Sequence, residues 1–156
     1  MKRVPILAVA VLLLAGYTTY AGNFTDNGNG TVRDTNTGLM WQKEDDGHTY
    51  NWYVAAGVYD TKYNPTTKSV CGELTLAGYS DWRLSSNTEL MSIVDSSIPE
   101  PGPTIDAAHF PRTKSAVYWS STQGSAAYGT VFRSGNIFVG HKGANLWYVR
   151  CVRGEK

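Results

Sequence analysis

The sequence predicts an α+β domain that is rich in strands and turns. Three observations support this class: Asn-Gly turn motifs near the start, one well-marked helix in the middle, and short β-prone segments towards the end. Gly, Tyr, Trp, Thr and Ser are abundant, and long apolar runs are scarce beyond the N-terminal segment. This composition is typical of a strand-heavy domain with a core of aromatic side chains rather than of a helix bundle.

The N-terminal residues predict export. A short basic start precedes an apolar run over residues 4–16, which is shorter than the roughly 20 residues that a membrane-spanning helix needs. Because Thr19-Tyr20-Ala21 ends in a suitable cleavage site, residues 1–21 fit a secretory signal peptide. An uncleaved membrane anchor is the alternative. We expect residues 22–156 to form one mature domain that does not span a membrane and is periplasmic, cell-surface or extracellular.

The charge of this mature segment argues against nucleic acid as a partner. Removal of residues 1–21 leaves 12 basic and 13 acidic residues, a net charge of −1. A nucleic-acid-binding domain of this size would present a basic stripe to the phosphates. Purely electrostatic capture of a polyanion is disfavoured for the same reason, although a local basic patch remains compatible with the composition.

The two cysteines predict a single disulfide, Cys71–Cys151, because exported domains usually pair their thiols. The bridge would close a loop of roughly 80 residues, which the chain-entropy model values at about 4.5 kcal/mol. Pairing would also leave neither thiol as a nucleophile or metal ligand. Free or intermolecular thiols are the alternative.

The first element predicted is a hairpin between Phe24 and Trp41. Its turn is Asn27-Gly28-Asn29-Gly30, whose residues accept the positive φ of tight hairpin turns, and a second turn lies at Asn36-Thr37-Gly38. A calcium loop is the alternative for this segment. The spacing disfavours it, because glycines occupy positions where such a loop needs oxygen-bearing side chains.

Two helical regions follow. The first begins near Trp52 and is interrupted at Asn64-Pro65. Its apolar pattern places Trp52, Ala55, Ala56 and Tyr59 on one face. A second short helical piece after the interruption would carry Cys71, Leu74 and Leu76. The second helical region is clearer, because Ser86 and Glu89 have the spacing of a capping box. Its buried stripe would consist of Leu90, Ile93 and Val94.

The rest of the chain predicts a long irregular loop and then a strand-rich meander. Four prolines exclude regular structure over residues 98–112, where Ile105 and Phe110 would anchor the loop to the core. Short β-prone segments separated by turns then form a meander that ends at Cys151, namely residues 116–121, 129–133, 136–140 and 146–153.

Four phrases of the sequence carry a family resemblance. They are residues 24–32 with 37–41, residues 76–84 (LAGYSDWRL), residues 118–122 (YWSST) and residues 148–153 (YVRCVR). In this order they resemble the Lcl C-terminal domain family, which is named for a bacterial collagen-like adhesin. One departure is Ser85, where the family commonly has proline.

The resemblance implies a C-type-lectin-like fold, with two helices flanking twisted, mostly antiparallel sheets and a long irregular loop region. It also implies a bridge between the first helical region and the last strand, which matches Cys71 and Cys151. In the adhesin this domain is associated with sulfated polysaccharides and attachment. That role does not transfer whole, because this chain lacks a collagen-like stalk, a trimerisation segment and a strong positive charge.

No residue pattern indicates catalysis or a cofactor. His48, His109 and His141 share no metal-ligand spacing, and the hydroxyls of residues 120–122 lack a nucleophile elbow. The acidic run at residues 44–46 is typical of a solvated loop rather than of a glycosidase pair, which needs one carboxyl in an apolar pocket. We therefore expect a protein that is not an enzyme and that holds no metal or cofactor.

The predicted function is that of an exported recognition module which binds a glycan or a protein partner, as in adhesion. The alternative is a structural or accessory subunit of a surface assembly that uses the aromatic meander as a protein interface. The tryptophans at positions 41, 82 and 119 are expected in the core. The candidate ligand-binding residues combine aromatic, amide and cationic groups on the meander: Tyr128, Arg133, Asn136, Phe138, His141, Lys142, Asn145 and Trp147.

Overall fold

A computed structural model describes residues 23–154 as a mixed α/β domain with two short helices and two antiparallel sheets. The predicted signal peptide, residues 1–21, lies outside the described residues, so its cleavage stays a prediction. In chain order the elements are β1 (Phe24–Asp26), β2 (Thr31–Asp34), β3 (Met40–Gln42), α1 (Trp52–Ala56), β4 (Arg83–Leu84), α2 (Asn87–Ser92), β5 (Val117–Gln123), β6 (Ala127–Val131), β7 (Asn136–Gly140) and β8 (Cys151–Arg153).

The predicted N-terminal hairpin is confirmed. Strands β1 and β2 pair antiparallel, and the turn between them contains glycines 28 and 30 at positive φ. In the second turn the Asp34 carboxylate accepts hydrogen bonds from the backbone N–H groups of Asn36 and Thr37, and Gly38 has a φ of 74°. Strand β3 then pairs with β2, so the chain's first three strands form a meander.

Helix α1 is shorter than the sequence predicts. Asn51 caps the start of the helix, which buries Trp52 and Ala55. Gly57 ends the helix because its backbone lies in the left-handed region. The prediction that Tyr59 continues the buried face is wrong, because the chain has left the helix and this side chain is 59% exposed. The second helical piece is also absent, since residues 70–73 form turns and no helix follows them before β4.

A buried asparagine explains why the chain turns instead of remaining helical. The amide of Asn64 donates to the carbonyl oxygens of Tyr53, Val58 and Lys68, and its Oδ1 accepts from the backbone N–H of Lys68. These four bonds give the loop after α1 the hydrogen-bond partners that a helix would otherwise supply.

Helix α2 begins as the sequence predicts. The Ser86 hydroxyl accepts from the backbone N–H of Glu89, and the Glu89 carboxylate accepts from the backbone N–H of Ser86, so both halves of the capping box are present. Leu90 and Ile93 are buried as predicted, whereas Val94 is only half-buried, because α2 ends at Ser92 and Val94 lies beyond it. Arg83 of β4 also donates two hydrogen bonds to the Glu89 carboxylate, at 2.8 and 2.6 Å, and thereby joins α2 to the five-stranded sheet.

The long loop behaves as predicted. Residues 98–112 contain turns but no helix or strand. Ile105 and Phe110 are fully buried and pack in the same core cluster as Leu90 and Ile93. The loop is therefore anchored by apolar side chains although its backbone is irregular.

The C-terminal strands differ from the prediction in one respect. Strands β5, β6 and β7 form a three-stranded meander, but residues 146–150 do not add a fourth strand to it. Only β8 is a strand, and it lies between β3 and β4 in the five-stranded sheet, whose order is β1-β2-β3-β8-β4. Tyr148 runs beside β5, where its N–H donates to Val117 and its carbonyl accepts from Trp119. This segment links the two sheets.

The three-stranded sheet separates two hydrophobic clusters, because successive strand residues point to opposite faces. On β5, Tyr118 belongs to the cluster with Phe110, Phe132 and Trp41, and its neighbour Trp119 belongs to the other cluster. The second cluster contains the remaining four tryptophans and both cysteines. The tryptophans at positions 41, 82 and 119 are thus in the core, as predicted.

The disulfide Cys71–Cys151 is present, with 5.4 Å between the two Cα atoms, and no free cysteine remains in the chain. It joins the turns after α1 to the start of β8, and both half-cystines are buried. A bridge of this kind is compatible with the predicted export. In the part of the chain that the structure describes, no helix has the length and apolarity to cross a membrane.

Candidate functional site

The eight candidate residues lie along the β6–β7 hairpin and the loop after it, but they do not converge on one point. Asn136 begins β7 and Arg133 lies in the turn before it, whereas His141, Lys142 and Asn145 follow the end of the strand. Tyr128 is paired with Val139, whereas Phe138 is paired with Gly129. Since neighbouring strand residues point to opposite faces, Tyr128 and Phe138 lie on different sides of the sheet.

Trp147 is a core residue. Its ring lies 3.8 Å from that of Trp119, and only 9% of the residue is exposed. A Cβ atom at Gly140 would come within 2.3 Å of the Trp147 indole, and one at Gly129 within 3.0 Å. The two glycines therefore leave the space in which the indole lies, and little of this side chain is accessible to a ligand.

The loop after β7 is held by its own side chains. Lys142 donates to Gln123 Oε1 at 2.6 Å and to the Gly124 carbonyl at 3.2 Å, and its ammonium lies 4.6 Å from the Trp52 ring centre. Asn145 Oδ1 accepts from the backbone N–H of His141. These contacts fix the position of the loop relative to the β5–β6 turn.

The ring of His141 has a defined orientation. Its Nδ1 accepts hydrogen bonds from the backbone N–H groups of Gly143 and Ala144, at 3.2 and 3.1 Å. A neutral imidazole in this position carries its proton on Nε2, because one ring nitrogen donates when the other accepts. His141 is exposed, so this donor is available to a ligand.

Arg133 and Asn136 lie on the surface at the other end of β7. The Arg133 guanidinium lies 3.8 Å from the Glu100 carboxylate, and both side chains are more than half exposed. An exposed pair at this distance is weak. The Asn136 amide donates to the Ser134 hydroxyl within the turn.

Strand β7 has an apolar surface that the sequence only partly revealed. Ile137, Phe138 and Val139 are 52, 54 and 52% exposed. Because neighbouring residues of a strand point to opposite faces, their equal exposure means that both faces of β7 are open. Phe138 was among the candidates, but Ile137 and Val139 were missed, since an apolar run in a strand usually indicates burial.

Strand β7 is also an edge. It pairs with β6 over five residues in regular antiparallel register. On its other side, no strand pairs with it among residues 23–154. The opposite edge of the same sheet, along β5, is covered by the segment around Tyr148. We name residues 136–140, with their outer backbone and exposed side chains, the β7 edge.

A shallow pocket of about 340 Å³ adjoins the Gly140 end of the β7 edge. Its walls come from α1, the β5–β6 turn and the loop after β7. The side chains that line it include Tyr53, Ser125, Val139, His141 and Lys142. The pocket thus combines one aromatic ring with a cationic group and an imidazole.

A larger cleft of about 770 Å³ lies elsewhere, between the start of β1, the second turn and the loop after α2. Three carboxylates line it, from Asp34, Asp95 and Asp106. Each accepts hydrogen bonds from backbone N–H groups two or three residues away in its own turn. Burial raises the pKa of Asp106, but the hydrogen bond with His109 and the adjacent backbone N–H outweigh it and lower the pKa. That carboxyl is therefore not held protonated for acid catalysis.

No three His, Cys, Asp or Glu side chains of residues 23–154 are grouped closely enough to hold a metal ion. The expectation that the protein uses no metal or cofactor stays a prediction.

The main polar feature that sequence reasoning missed is a buried network around Arg150, which is fully buried. Its guanidinium donates to the carbonyl oxygens of Gln42 and Lys43, to Thr113 Oγ1 and to the Asp45 carboxylate. The prediction that residues 44–46 form a solvated loop is wrong for Asp45, whose side chain is only 4% exposed. Arg150 lies 105 residues away in sequence, so no local signal revealed the pair.

The Tyr118 hydroxyl completes this network. It donates to Asp45 and accepts from the backbone N–H of Lys114. Burial raises the pKa of Tyr118; Arg150 opposes the rise and Asp45 adds to it. We name Arg150, Asp45, Thr113 and Tyr118 the Arg150 network. It ties the loop after β3 to β5 and to the segment before β8.

Comparison with known proteins identifies one family. A model described as the Lcl C-terminal domain matches residues 30–153, which include every element except β1. A comparison with curated proteins found no match.

Proposed function

The chain belongs to the Lcl C-terminal domain family, and from this membership and the geometry above we propose that it is a recognition module, not an enzyme, which binds a protein partner through the β7 edge. The proposal includes export by the N-terminal signal peptide and the C-type-lectin-like fold that the resemblance implies. The partner would be met in the periplasm or at the cell surface.

The observation that carries this proposal is the exposure of three consecutive apolar residues, Ile137, Phe138 and Val139, on an unpaired strand. Single exposed apolar side chains are common on protein surfaces, but adjoining ones mark interaction sites more often. An aromatic residue at the centre of the group adds to this, because aromatic side chains are enriched in protein interfaces.

A protein partner is favoured over a glycan because the groups that a sugar would use are dispersed or engaged. The indole of Trp147 is stacked in the core, and Tyr128 and Phe138 lie on different sides of the sheet. Arg133 lies at the opposite end of β7. A glycan site would bring an exposed aromatic face and several hydrogen-bonding groups to one place.

The alternative role, a structural or accessory subunit of a surface assembly, would use the same β7 edge. The two roles differ in how long the partners stay bound, since subunits of an assembly stay associated during purification. A protein that purifies alone and binds a partner reversibly supports the recognition module.

The absence of catalysis is also part of the proposal. The carboxylates of the larger cleft are engaged in their own turns, and both thiols are paired in the disulfide. The lowered pKa of Asp106 and the paired thiols favour neither carboxyl acid catalysis nor a thiol nucleophile.

Photo-crosslinking from defined positions tests this function. A photoreactive phenylalanine derivative replaces Phe138 in the full chain, produced in its native cells. The matched control carries the same derivative at Tyr79, another exposed aromatic residue, which packs against Arg153 of the five-stranded sheet. We expect a discrete protein adduct from position 138 and none from position 79.

Two results would overturn the proposal. One is the absence of any adduct at position 138, or the same adducts at both positions. The other is specific binding on a glycan array, screened with and without EDTA at two salt concentrations, that survives substitution of Phe138.

A further inference from the structure

We infer that the partner binds as an added β-strand: an extended segment of another protein pairs with the outer backbone of the β7 edge, with apolar residues along the strand and a carboxylate near His141 and Lys142. This inference rests on the proposed function and specifies the chemistry of the partner.

The first argument is that β7 lacks the devices that protect sheet edges. Edge strands are usually short, charged, bulged or interrupted by proline, which prevents unwanted pairing. In the five-stranded sheet both edges follow this rule. Strand β1 has three residues and its Asp26 is bonded to Lys43, and β4 has two residues, of which Arg83 is bonded to Glu89. Strand β7 has five residues, none charged and none proline, in regular register with β6.

The second argument concerns the backbone. A strand directs alternate N–H and C=O groups to its two sides, so about half of those in β7 point away from β6. In the described part of the chain no other strand meets them. Strand addition would pair these groups, and in such complexes the main-chain hydrogen bonds supply affinity while side-chain contacts supply specificity.

The third argument concerns the side chains on both faces of β7. On one face Val139 is opposite Tyr128 in the β6–β7 register, and on the other Phe138 lies against Trp147, with 5.9 Å between ring centres. An added strand would place its own side chains beside both groups. The segment that fits therefore has consecutive apolar, β-prone residues rather than an alternation of apolar and polar ones.

The fourth argument is the charge near the ends of the strand. Lys142 follows β7 and has no carboxylate within 4 Å among residues 23–154, and Arg133 precedes β7 with only the weak pair to Glu100. At the Gly140 end, the Nε2–H donor of His141 and the shallow pocket beside it add a place for an acidic side chain. An acidic residue at this end of the partner segment complements these groups.

The same charges disfavour a second copy of this chain as the occupant. Antiparallel pairing of two β7 strands would bring Arg133 of one copy near Lys142 of the other at both ends of the interface, and like charges oppose association. A strand of five residues also offers far less surface than the roughly 1,200–2,000 Å² that a stable interface buries. A short extended segment needs no such area, because the backbone bonds contribute.

Selection from random peptides displayed on phage provides the probe, with the mature domain (residues 22–156) as the bait at low and moderate salt. We expect enriched peptides to contain a run of β-branched or aromatic residues followed or preceded by Asp or Glu. N-methylation of alternate backbone amides in that run should weaken binding by about tenfold or more, because it removes donors and leaves the side chains.

Variants of the domain locate the site. Val139→Lys should abolish binding of the enriched peptides, since it places a charge on the β7 edge. Leu146→Lys is the matched control, because Leu146 is also exposed, at 59%, but lies outside the strand. Lys142→Gln should weaken binding several-fold and reduce its dependence on salt.

The outcomes separate the two claims. If Val139→Lys abolishes binding but N-methylation has no effect, strand addition is overturned and the proposed function stands. If no peptide is enriched, or if Val139→Lys and Leu146→Lys leave binding unchanged, both are overturned. If the domain sediments as a dimer that Val139→Lys dissociates, a second copy occupies the edge and the inference is wrong.

Discussion

The Arg150 network and the β7 edge invert the usual distribution of polar and apolar groups, and they do so for different reasons. The network buries a guanidinium and a carboxylate inside the domain, where both make several hydrogen bonds, although Arg150 Nε has no partner among residues 23–154. The β7 edge exposes three apolar side chains that nothing covers in residues 23–154. The contrast indicates that buried polar groups with partners hold this fold together, whereas exposed apolar groups without partners mark the surface that we propose to be the binding surface.

The largest expected effect is on the stability of the domain, through the disulfide. Replacement of Cys71 and Cys151 together by serine should lower the free energy of unfolding by about 4.5 kcal/mol, because the unfolded chain loses a cross-link that closes a loop of 80 residues. Urea unfolding monitored by tryptophan fluorescence measures the change. An unaltered unfolding midpoint would show that the bridge contributes nothing to the stability of the domain.

The next effect tests the Arg150 network itself. Arg150→Met should cost about 4 kcal/mol, because it leaves the Asp45 carboxylate buried without its cation. The double variant Arg150→Met, Asp45→Leu should recover part of this loss, since no uncompensated charge remains. Equal stabilities of the single and double variants would contradict the network. Peptide binding by the folded fraction should be unchanged in both.

A smaller effect, dependent on pH, is expected at the start of α2. Burial raises the pKa of Glu89, but the hydrogen bonds from Arg83 and from the Ser86 backbone outweigh it and lower the pKa below the usual 4.5. The stability that this carboxylate contributes is therefore full above about pH 4.5 and is lost as the pH falls through the lowered pKa. Glu89→Gln should cost about 1.5 kcal/mol at pH 7 and flatten the acid limb of the stability profile. An unchanged acid limb would contradict this assignment.

At alkaline pH the effect should be smaller and local to Tyr50. Burial and the hydrogen bond to Asp46 raise the pKa of this phenol from 10.0 to about 12. Stability is therefore complete below pH 10 and declines as the pH rises towards 12, because the unfolded chain releases this proton first. Tyr50→Phe should make the decline shallower in pH-dependent thermal melts, and an unchanged slope would argue against the raised pKa.

The smallest effect on stability is expected at the β7 edge. Ile137→Lys should change the free energy of unfolding by no more than about 0.5 kcal/mol, because the side chain is already half exposed. The same substitution should abolish binding of the selected peptides. A large loss of stability would mean that Ile137 helps to hold the fold together. The contrast between the Arg150 network and the β7 edge would then be contradicted.

Local chemistry made much of the fold predictable. The glycine-containing turns after β1 and β2 and the capping box of α2 depend on residues within four positions of one another, so the sequence displays them directly. The early end of α1 was not predictable from the apolar pattern, because it depends on Gly57 and on the bonds that Asn64 makes across the loop. The burial of Asp45 depends on a partner beyond the reach of any local pattern.

In the candidate site, too, local features were predictable and those that depend on distant residues were not. The sequence located the β6–β7 hairpin as the region of interest and included Phe138. It could not show that Trp147 would fill the space above two glycines, or that the Lys142 ammonium would donate to Gln123. It also could not show that β7 lies at an edge, since strand order depends on how β8 joins the other sheet.

Amide hydrogen exchange tests the central claim most directly. In the free domain, residues 136–140 should exchange faster than residues 117–123, whose strand is covered on its outer side by the segment at Tyr148. Addition of a selected peptide should slow exchange in residues 136–140 and leave residues 117–123 unchanged. Slow exchange of β7 in the free domain, or peptide-induced protection elsewhere, would contradict the assignment of the β7 edge as the binding surface.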